Sequence, residues 1–248
     1  MAGLIIFLIL IFGWAITYPL TDLWVRFLDP ATVKRGITTG SKICLTFDDG
    51  PNPKVTPEIL AVLADYKIPA VFFLAGFRAE KYPELVRRIQ AAGHEIGLHT
   101  YYHRHAYLMF LRKSMATIRR GKQVLEGITG KTLFWFRPPW GALNLFQYLY
   151  LKWLRLKVVL WTANAVDWDV RTGPAKVLEL LQKRVKPGAV IVVHDAGGNA
   201  GAPENTLKAL PEVINYFQSN GYQFVSLAEI TGGHYERRNI NAKAGNGH

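Results

Sequence analysis

The stretch LTFDDGP, residues 45–51, sets Asp48 and Asp49 side by side where an apolar run ends. Adjacent carboxylates oppose each other's ionisation unless a metal ion or an arginine lies close by. Asp, Gly and Pro are also the ordinary residues of a solvated turn, so other segments have to decide. HTYYH, residues 99–103, offers His99 and His103 four residues apart, a spacing that puts two imidazoles on one side of a helical turn, within reach of one ion. Alone that spacing is common on surfaces. Beside one carboxylate of the DD pair it becomes a three-ligand set with positions left for water and substrate, suited to zinc or another divalent ion. One aspartate then ligates and the other takes a proton; residue types alone do not say which.

Two further segments extend this chemistry. Arg137, in FRPPWG, can hold the second carboxylate ionised and aimed, on a loop stiffened by Pro138 and Pro139. His194, in VIVVHDAGG, is a candidate general acid, with Asp167 of VDW placed to favour its protonated form. Taken alone, His194 reads as a satisfied core histidine. The set together describes metal-assisted hydrolysis: a base directs water at an acyl carbon and an acid protonates the departing amine or alcohol. No Ser/His/Asp arrangement competes at comparable positions. Cys44 reads as an inward strand residue, and GGNAGAP, residues 197–203, lacks the Lys-Ser/Thr of a phosphate loop and reads as a flexible rim.

These residues need a scaffold that brings them together. Short β-rich runs at 43–47, 70–74, 95–98, 133–136, 157–161, 190–193 and 223–226 alternate with helix-period runs at 56–66, 83–91, 112–127, 144–154, 174–183 and 204–218. Such alternation implies parallel strands with crossover helices, hence an α/β sheet or barrel. The carboxyl ends of parallel strands share one face, where active sites are built. Asp48, His99, Arg137, Asp167 and His194 all fall at or just past expected strand ends. A solvated turn does not predict that convergence.

Length and composition set the remaining expectations. The 248 residues, half of them hydrophobic, suffice for one sizeable domain. Residues 1–21 carry no charged side chain and are dense in Ile, Leu and Phe, with Trp14 and Tyr18 suited to an interface. They are expected to form a membrane or signal-anchor segment, followed by a linker at 22–41, a catalytic domain at 42–230 and a disordered tail at 231–248. The localisation expected is a membrane-anchored, extracytoplasmic body, although Arg26, Lys34 and Arg35 pull the other way under the positive-inside rule. Of the formal charge of +12, residues 104–157 carry +10: eleven Lys or Arg against Glu126 alone. The same segment is rich in aromatics. Basic plus aromatic surface fits an anionic glycan or membrane surface. Nucleic acid explains the charge but not the ligand set, so no nucleic-acid partner is expected.

TFDDGP, HTYYH, RPPWG, VDW and VIVVH occur in the order and approximate spacing of the five motifs of polysaccharide deacetylases, the NodB-homology or family 4 carbohydrate esterases, which this chain resembles over roughly residues 42–230. The resemblance implies a distorted (β/α)7-type barrel behind the N-terminal hydrophobic anchor helix. It implies removal of acetyl groups, most often N-acetyl from an amino sugar, with one divalent ion, zinc first and Co, Ni or Mn after it. Carried over by motif, Asp48 is the base, Asp49, His99 and His103 are the metal ligands, Arg137 orients the base, and His194 is the acid with Asp167 as its partner. Trp140 stands where the family often has Tyr, whose backbone N–H helps stabilise the oxyanion, and Trp168 is a candidate substrate contact. The expected partner is an N-acetylated glycan or a lipid-linked amino sugar at a membrane surface, taken by a monomer. An O-acetyl esterase or deformylase would use the same residues. A non-catalytic glycan- or membrane-binding protein is the rival from another class, disfavoured because every catalytic position is filled.

Overall fold

The computed structural model describes residues 2–37 and 40–233. From residue 234 on, the expected tail lies outside the described residues. Eight strands form one parallel sheet: β1 Lys42–Asp48, β2 Val71–Leu74, β3 Glu95–Leu98, β4 Trp135–Phe136, β5 Lys157–Val158, β6 Ala163–Asn164, β7 Val190–His194 and β8 Gln223–Phe224. Their order is β5-β4-β3-β2-β1-β7-β6, with β8 pairing on β1 as well. The sheet curls into a half-barrel whose ends, β5 and β6, do not pair with each other among the described residues. All seven expected strands are present, and β6 is an eighth, two residues long and too short to leave a periodic signature.

Helices follow most strands: α3 Val55–Asp65 after β1, α4 Gly76–Lys81 and α5 Pro83–Ala91 after β2, α6 Leu111–Thr129 after β3, α7 Leu145–Trp153 after β4, α8 Pro174–Arg184 after β6 and α9 Ala202–Ser219 after β7. Local chemistry marks their ends. Pro83 and Pro174 open α5 and α8, where a missing N–H costs nothing. The Asn144 side chain caps α7 by accepting from the Gln147 N–H at 2.9 Å, and Gly130, at φ 64°, closes α6 in the left-handed region.

Side-chain alternation in β1 decides what faces the barrel interior. Ile43, Leu45 and Phe47 join the large apolar layer beneath the helices, where Phe47 stacks on Phe72 at 4.9 Å. Full burial of each such ring contributes roughly 1.5–3 kcal/mol. The opposite set, Cys44, Thr46 and Asp48, faces inward, and Cys44 packs there with Val71, Phe73, Val159 and Val190. The parallel register places Asp48 opposite His194 on β7. Period two therefore carries an inward acid and an inward imidazole to adjacent strand ends.

The N-terminal apolar helix runs well past residue 21. It begins as α1 Ala2–Ala15, continues through π-helical turns at Ile16–Leu20 and Trp24–Leu28, and includes the single turn α2 Thr21–Leu23. Over Gly3–Leu28 it is long and apolar enough to cross a membrane, by length and composition. Pro19 lies in the first π-helical turn, a widened register in which irregular helix hydrogen bonding is commonly accommodated. Asp22 and Arg26 pair at 2.9 Å across one turn, so the first charges do not end the helix. Its second half packs on the body. Tyr18 and Val25 are buried, Tyr18 meets Tyr107 edge-on at 5.3 Å, and the Trp24 indole N–H donates to the Tyr148 hydroxyl at 3.3 Å.

Candidate active site

The DD pair splits because its members sit on different backbone. Asp48 is the last residue of β1 and points inward, whereas Asp49 has turned into the left-handed region at φ 73°. The Arg137 guanidinium donates to Asp48 Oδ1 at 2.7 Å. It also donates to Thr46 Oγ1 at 2.6 Å and to the carbonyls of Val159 and Leu160 at 3.3 and 3.2 Å, and it lies 4.1 Å from the Phe73 ring centre. Arg137 has no solvent exposure at all. Such a charge is tolerable in a core only when paired and hydrogen-bonded, and here all three guanidinium nitrogens donate.

Asp49 faces the histidines. Its Oδ1 lies 3.3 Å from His99 Nε2 and 3.0 Å from His103 Nε2. The expected route to this geometry, one face of a helical turn, is corrected: residues 99–103 form a non-helical loop after β3, with positive φ at Thr100 (59°) and His103 (49°). The loop bends the second imidazole back instead. The His99 Nδ1–H donates to the Arg137 carbonyl at 2.7 Å, which leaves the Nε2 lone pair turned to the site. Burial pushes the Asp49 carboxyl up, but the facing His103 and His99 rings more than reverse this and hold it well below the usual carboxylate range.

His194, ending β7, is fixed from behind. Asp167 Oδ1 accepts from His194 Nδ1–H at 2.9 Å, and Asp167 Oδ2 accepts from the His194 backbone N–H at 2.6 Å and the Thr206 hydroxyl at 2.7 Å. Burial lowers the imidazole pKa, yet Asp167, with Asp49 and Asp48 beyond it, raises it to about 9. Asp48, Asp49, His99, His103, Trp140, Trp168 and His194 line one cavity of about 400 Å³, together with Trp161, Asn164, Val192 and Gly198. Arg137 and Asp167 lie buried behind it. All nine residues expected from the sequence are thus brought together.

Some neighbours were not anticipated. Thr46 accepts from Arg137 and donates to the Ile191 carbonyl at 2.6 Å; its inward register with Asp48 was the available signal. Asp195, adjacent to His194, accepts from the Thr56 hydroxyl with Oδ2, while its Oδ1 is buried without a partner. Burial pushes its carboxyl up to about 7. The glycines at 197 and 198 are not a free rim. Both have positive φ, and a Cβ at Gly197 would collide with Asp49 Oδ2 and one at Gly198 with the Trp168 backbone. Among the described residues seven non-glycines have positive φ, and five of them, Asp49, Thr100, His103, Trp140 and Val166, sit in the loops of this site. Clustered backbone strain of this kind marks functional loops.

Fold and cavity together define a parallel α/β half-barrel with acid, base and ligand-type side chains at its carboxyl-terminal strand ends. The profile of the family described as polysaccharide deacetylase matches residues 35–159, and the chain belongs to that family. It is 34% identical over 190 residues to a peptidoglycan-N-acetylglucosamine deacetylase of Bacillus cereus, covering 76% of this chain and 87% of that one. It is 31% identical to a chitooligosaccharide deacetylase of Sinorhizobium fredii, covering 80% and 95%. Among solved structures, the Bc1960 peptidoglycan N-acetylglucosamine deacetylase in complex with 4-naphthalen-1-yl-N-oxidanyl-benzamide superposes with a TM-score of 0.76 at 30% identity, over 84% of this chain and 95% of that one. A mutant of BA3943, described as a CE4 family pseudoenzyme with restored enzymatic activity, superposes at 0.74 with 25% identity, over 83% and 72%. A fold shared with a pseudoenzyme does not itself confer activity. The side chains in the cavity have to carry that weight.

Proposed function

We propose that this chain is a divalent-metal-dependent deacetylase that removes N-acetyl groups from amino sugars of a cell-envelope glycan, with residues 42–230 as the catalytic domain and the N-terminal helix as a membrane anchor. The observation that carries the reading is the convergence of three ligand-type side chains with a paired base and a paired acid on one cavity. Asp49, His99 and His103 would hold the ion. Their ligand atoms lie within 4.8 Å of one another, and buried Asp49 Oδ1 has no hydrogen-bond partner although two ring nitrogens approach it. An orphaned buried oxygen is costly unless something cationic completes it. When bound, the ion supplies Lewis-acid polarisation of the acyl oxygen. Zinc fits this donor set, since catalytic zinc sites are built from two histidines and one carboxylate.

The chain's own residues do the proton work. Asp48, aimed by Arg137, takes a proton from water attacking the acetyl carbonyl carbon. His194 presents Nε2 to the cavity, because Nδ1–H is committed to Asp167, and gives its proton to the departing amine nitrogen. The Trp140 backbone N–H is the proposed oxyanion donor, and the Trp168 ring, 45% exposed in the cavity lining, the proposed sugar contact. Acetate release by the zinc-loaded full chain from a panel of N-acetylated glycans and lipid-linked amino sugars tests the reading. Release that vanishes in His103→Ala supports it. A metal-loaded, folded protein that releases nothing from any member sinks it, and formylated or O-acetylated substrates would be tried next.

Asp167→Asn is expected to move the alkaline limb of the kcat/KM profile toward acid. Asp167 raises the His194 pKa, so deleting its charge lowers that pKa and the acid deprotonates at lower pH. A bound cation lowers both limits together and leaves the sign unchanged. A limb that stays in place would remove His194 from the role.

Gly197→Ala should weaken zinc binding by about 10–100-fold, the usual effect of disturbing a group that positions a ligand. The new methyl meets Asp49 Oδ2 and is strained by a φ of 71°. Calorimetric titration of the apo-protein reads it directly.

A further inference from the structure

The stretch long and apolar enough to cross a bilayer, Gly3–Leu28, includes the residues that pack on the body. A hydrocarbon core is about 30 Å thick and takes about 20 residues. Contact with the body already exists at Tyr18, against Tyr107, and continues at Trp24 on Tyr148. A span of that length placed within Gly3–Leu28 includes residues 16–21, and draws with them the elements packed on those residues down to the bilayer surface.

What those elements expose fits that position. Around Tyr107, Leu108 is 79% exposed, Phe110 76% and Leu111 44%; on α7, Trp153 is 73% exposed. The helix adds Leu20, Leu23 and Phe27 on its uncovered side. Large apolar side chains this exposed and this close together mark a docking surface. Exposed Arg104, Arg112 and Lys113 flank the apolar group, and none of the three is in an ion pair among the described residues. Apolar tips ringed by cations suit an anionic lipid surface, where the tips enter the acyl boundary and the cations meet headgroups.

The same loop leads into the cavity. His105 packs between Tyr107 at 5.0 Å and Trp140 at 5.4 Å, and Trp140 lies 4.5 Å from the His103 ring. Arg26 of the helix donates to the Trp140 carbonyl at 3.1 Å. Anchor and cavity rim are one packed unit.

We propose that residues 104–113 form a wedge that docks in an anionic phospholipid bilayer beside the N-terminal helix and holds the cavity mouth at headgroup level, so that the substrate is an amino sugar presented at the membrane surface. The wedge rests on the proposed anchor and not on the hydrolytic chemistry. The test uses the full chain in vesicles of phosphatidylcholine with phosphatidylglycerol, carrying an environment-sensitive fluorophore at Phe110→Cys or, as a second position, Leu108→Cys. Native Cys44 is buried and does not compete for label. Lys208→Cys on α9 is the reference. Brominated acyl chains should quench the label at 110 and 108 several-fold more strongly than at 208, and the contrast should weaken in phosphatidylcholine alone. A protein that floats with vesicles yet shows equal quenching at all three positions overturns the wedge and leaves the anchor standing. One that fails to float overturns both, while acetate release from soluble chitooligosaccharide still reports on the chemistry separately.

Discussion

Asp48→Asn is expected to lower kcat for acetate release by about 10³-fold, within the range that a positioned general base supplies, while zinc affinity stays near that of the parent; the melting temperature falls, because fully buried Arg137 loses its counter-charge. The asparagine carbonyl can still accept from Arg137, now 2.7 Å from Asp48 Oδ1, so the local packing has a substitute partner. That hydrogen bond turns the amide NH2 toward the cavity, where it cannot take a proton from water. Steady-state kinetics paired with zinc titration separate the two roles in the DD pair. Loss of zinc together with activity would make Asp48 a ligand and reverse the assignment. The mirror variant, Asp49→Asn, should lose zinc first, because Asp49 Oδ1 is the atom both imidazoles approach.

That the pair could be split at all was only half legible in the sequence. The strand-helix alternation and the placement of polar residues at strand ends follow from local periodicity, and the half-barrel honours them. The turn from Asp48 to Asp49 does not follow, because a non-glycine at φ 73° is held by tertiary contacts: its carboxylate faces His99 and His103 in space that a side chain at Gly197 would occupy. His103 is similar. Its spacing from His99 looks helical, and the observed loop reaches the same ligand distance by a left-handed bend that no propensity announces. Thr46 was hidden because β-branched residues are ordinary in strands; only the inward register with Asp48 and Arg137 gives it a role. At the N-terminus, the charges that begin at Asp22 read as an ending. The π-helical register and the Asp22–Arg26 pair carry the helix onward to Leu28.

Arg137→Met is expected to be the most damaging single change to the fold. Arg137 is fully buried, and its removal leaves Asp48, Thr46 and the Val159 and Leu160 carbonyls without their donor. Breaking a buried pair by deleting one partner costs about 3–5 kcal/mol, a large share of the roughly 5–15 kcal/mol that separates a folded domain from its unfolded chain. For a chain of this size the melting temperature should fall by about 6–20 °C. Arg137→Lys discriminates between charge and geometry. A lysine keeps the cation beside Asp48 but cannot supply the fork that reaches Thr46 and two carbonyls at once. It should recover part of the thermal stability and little of kcat. If lysine restored kcat fully, the fork would be dispensable and Asp48 would be positioned by its strand alone. The expected split follows from the geometry. The Arg137 carbonyl orients His99 while its guanidinium orients Asp48, so one residue fixes both the proposed ligand and the proposed base.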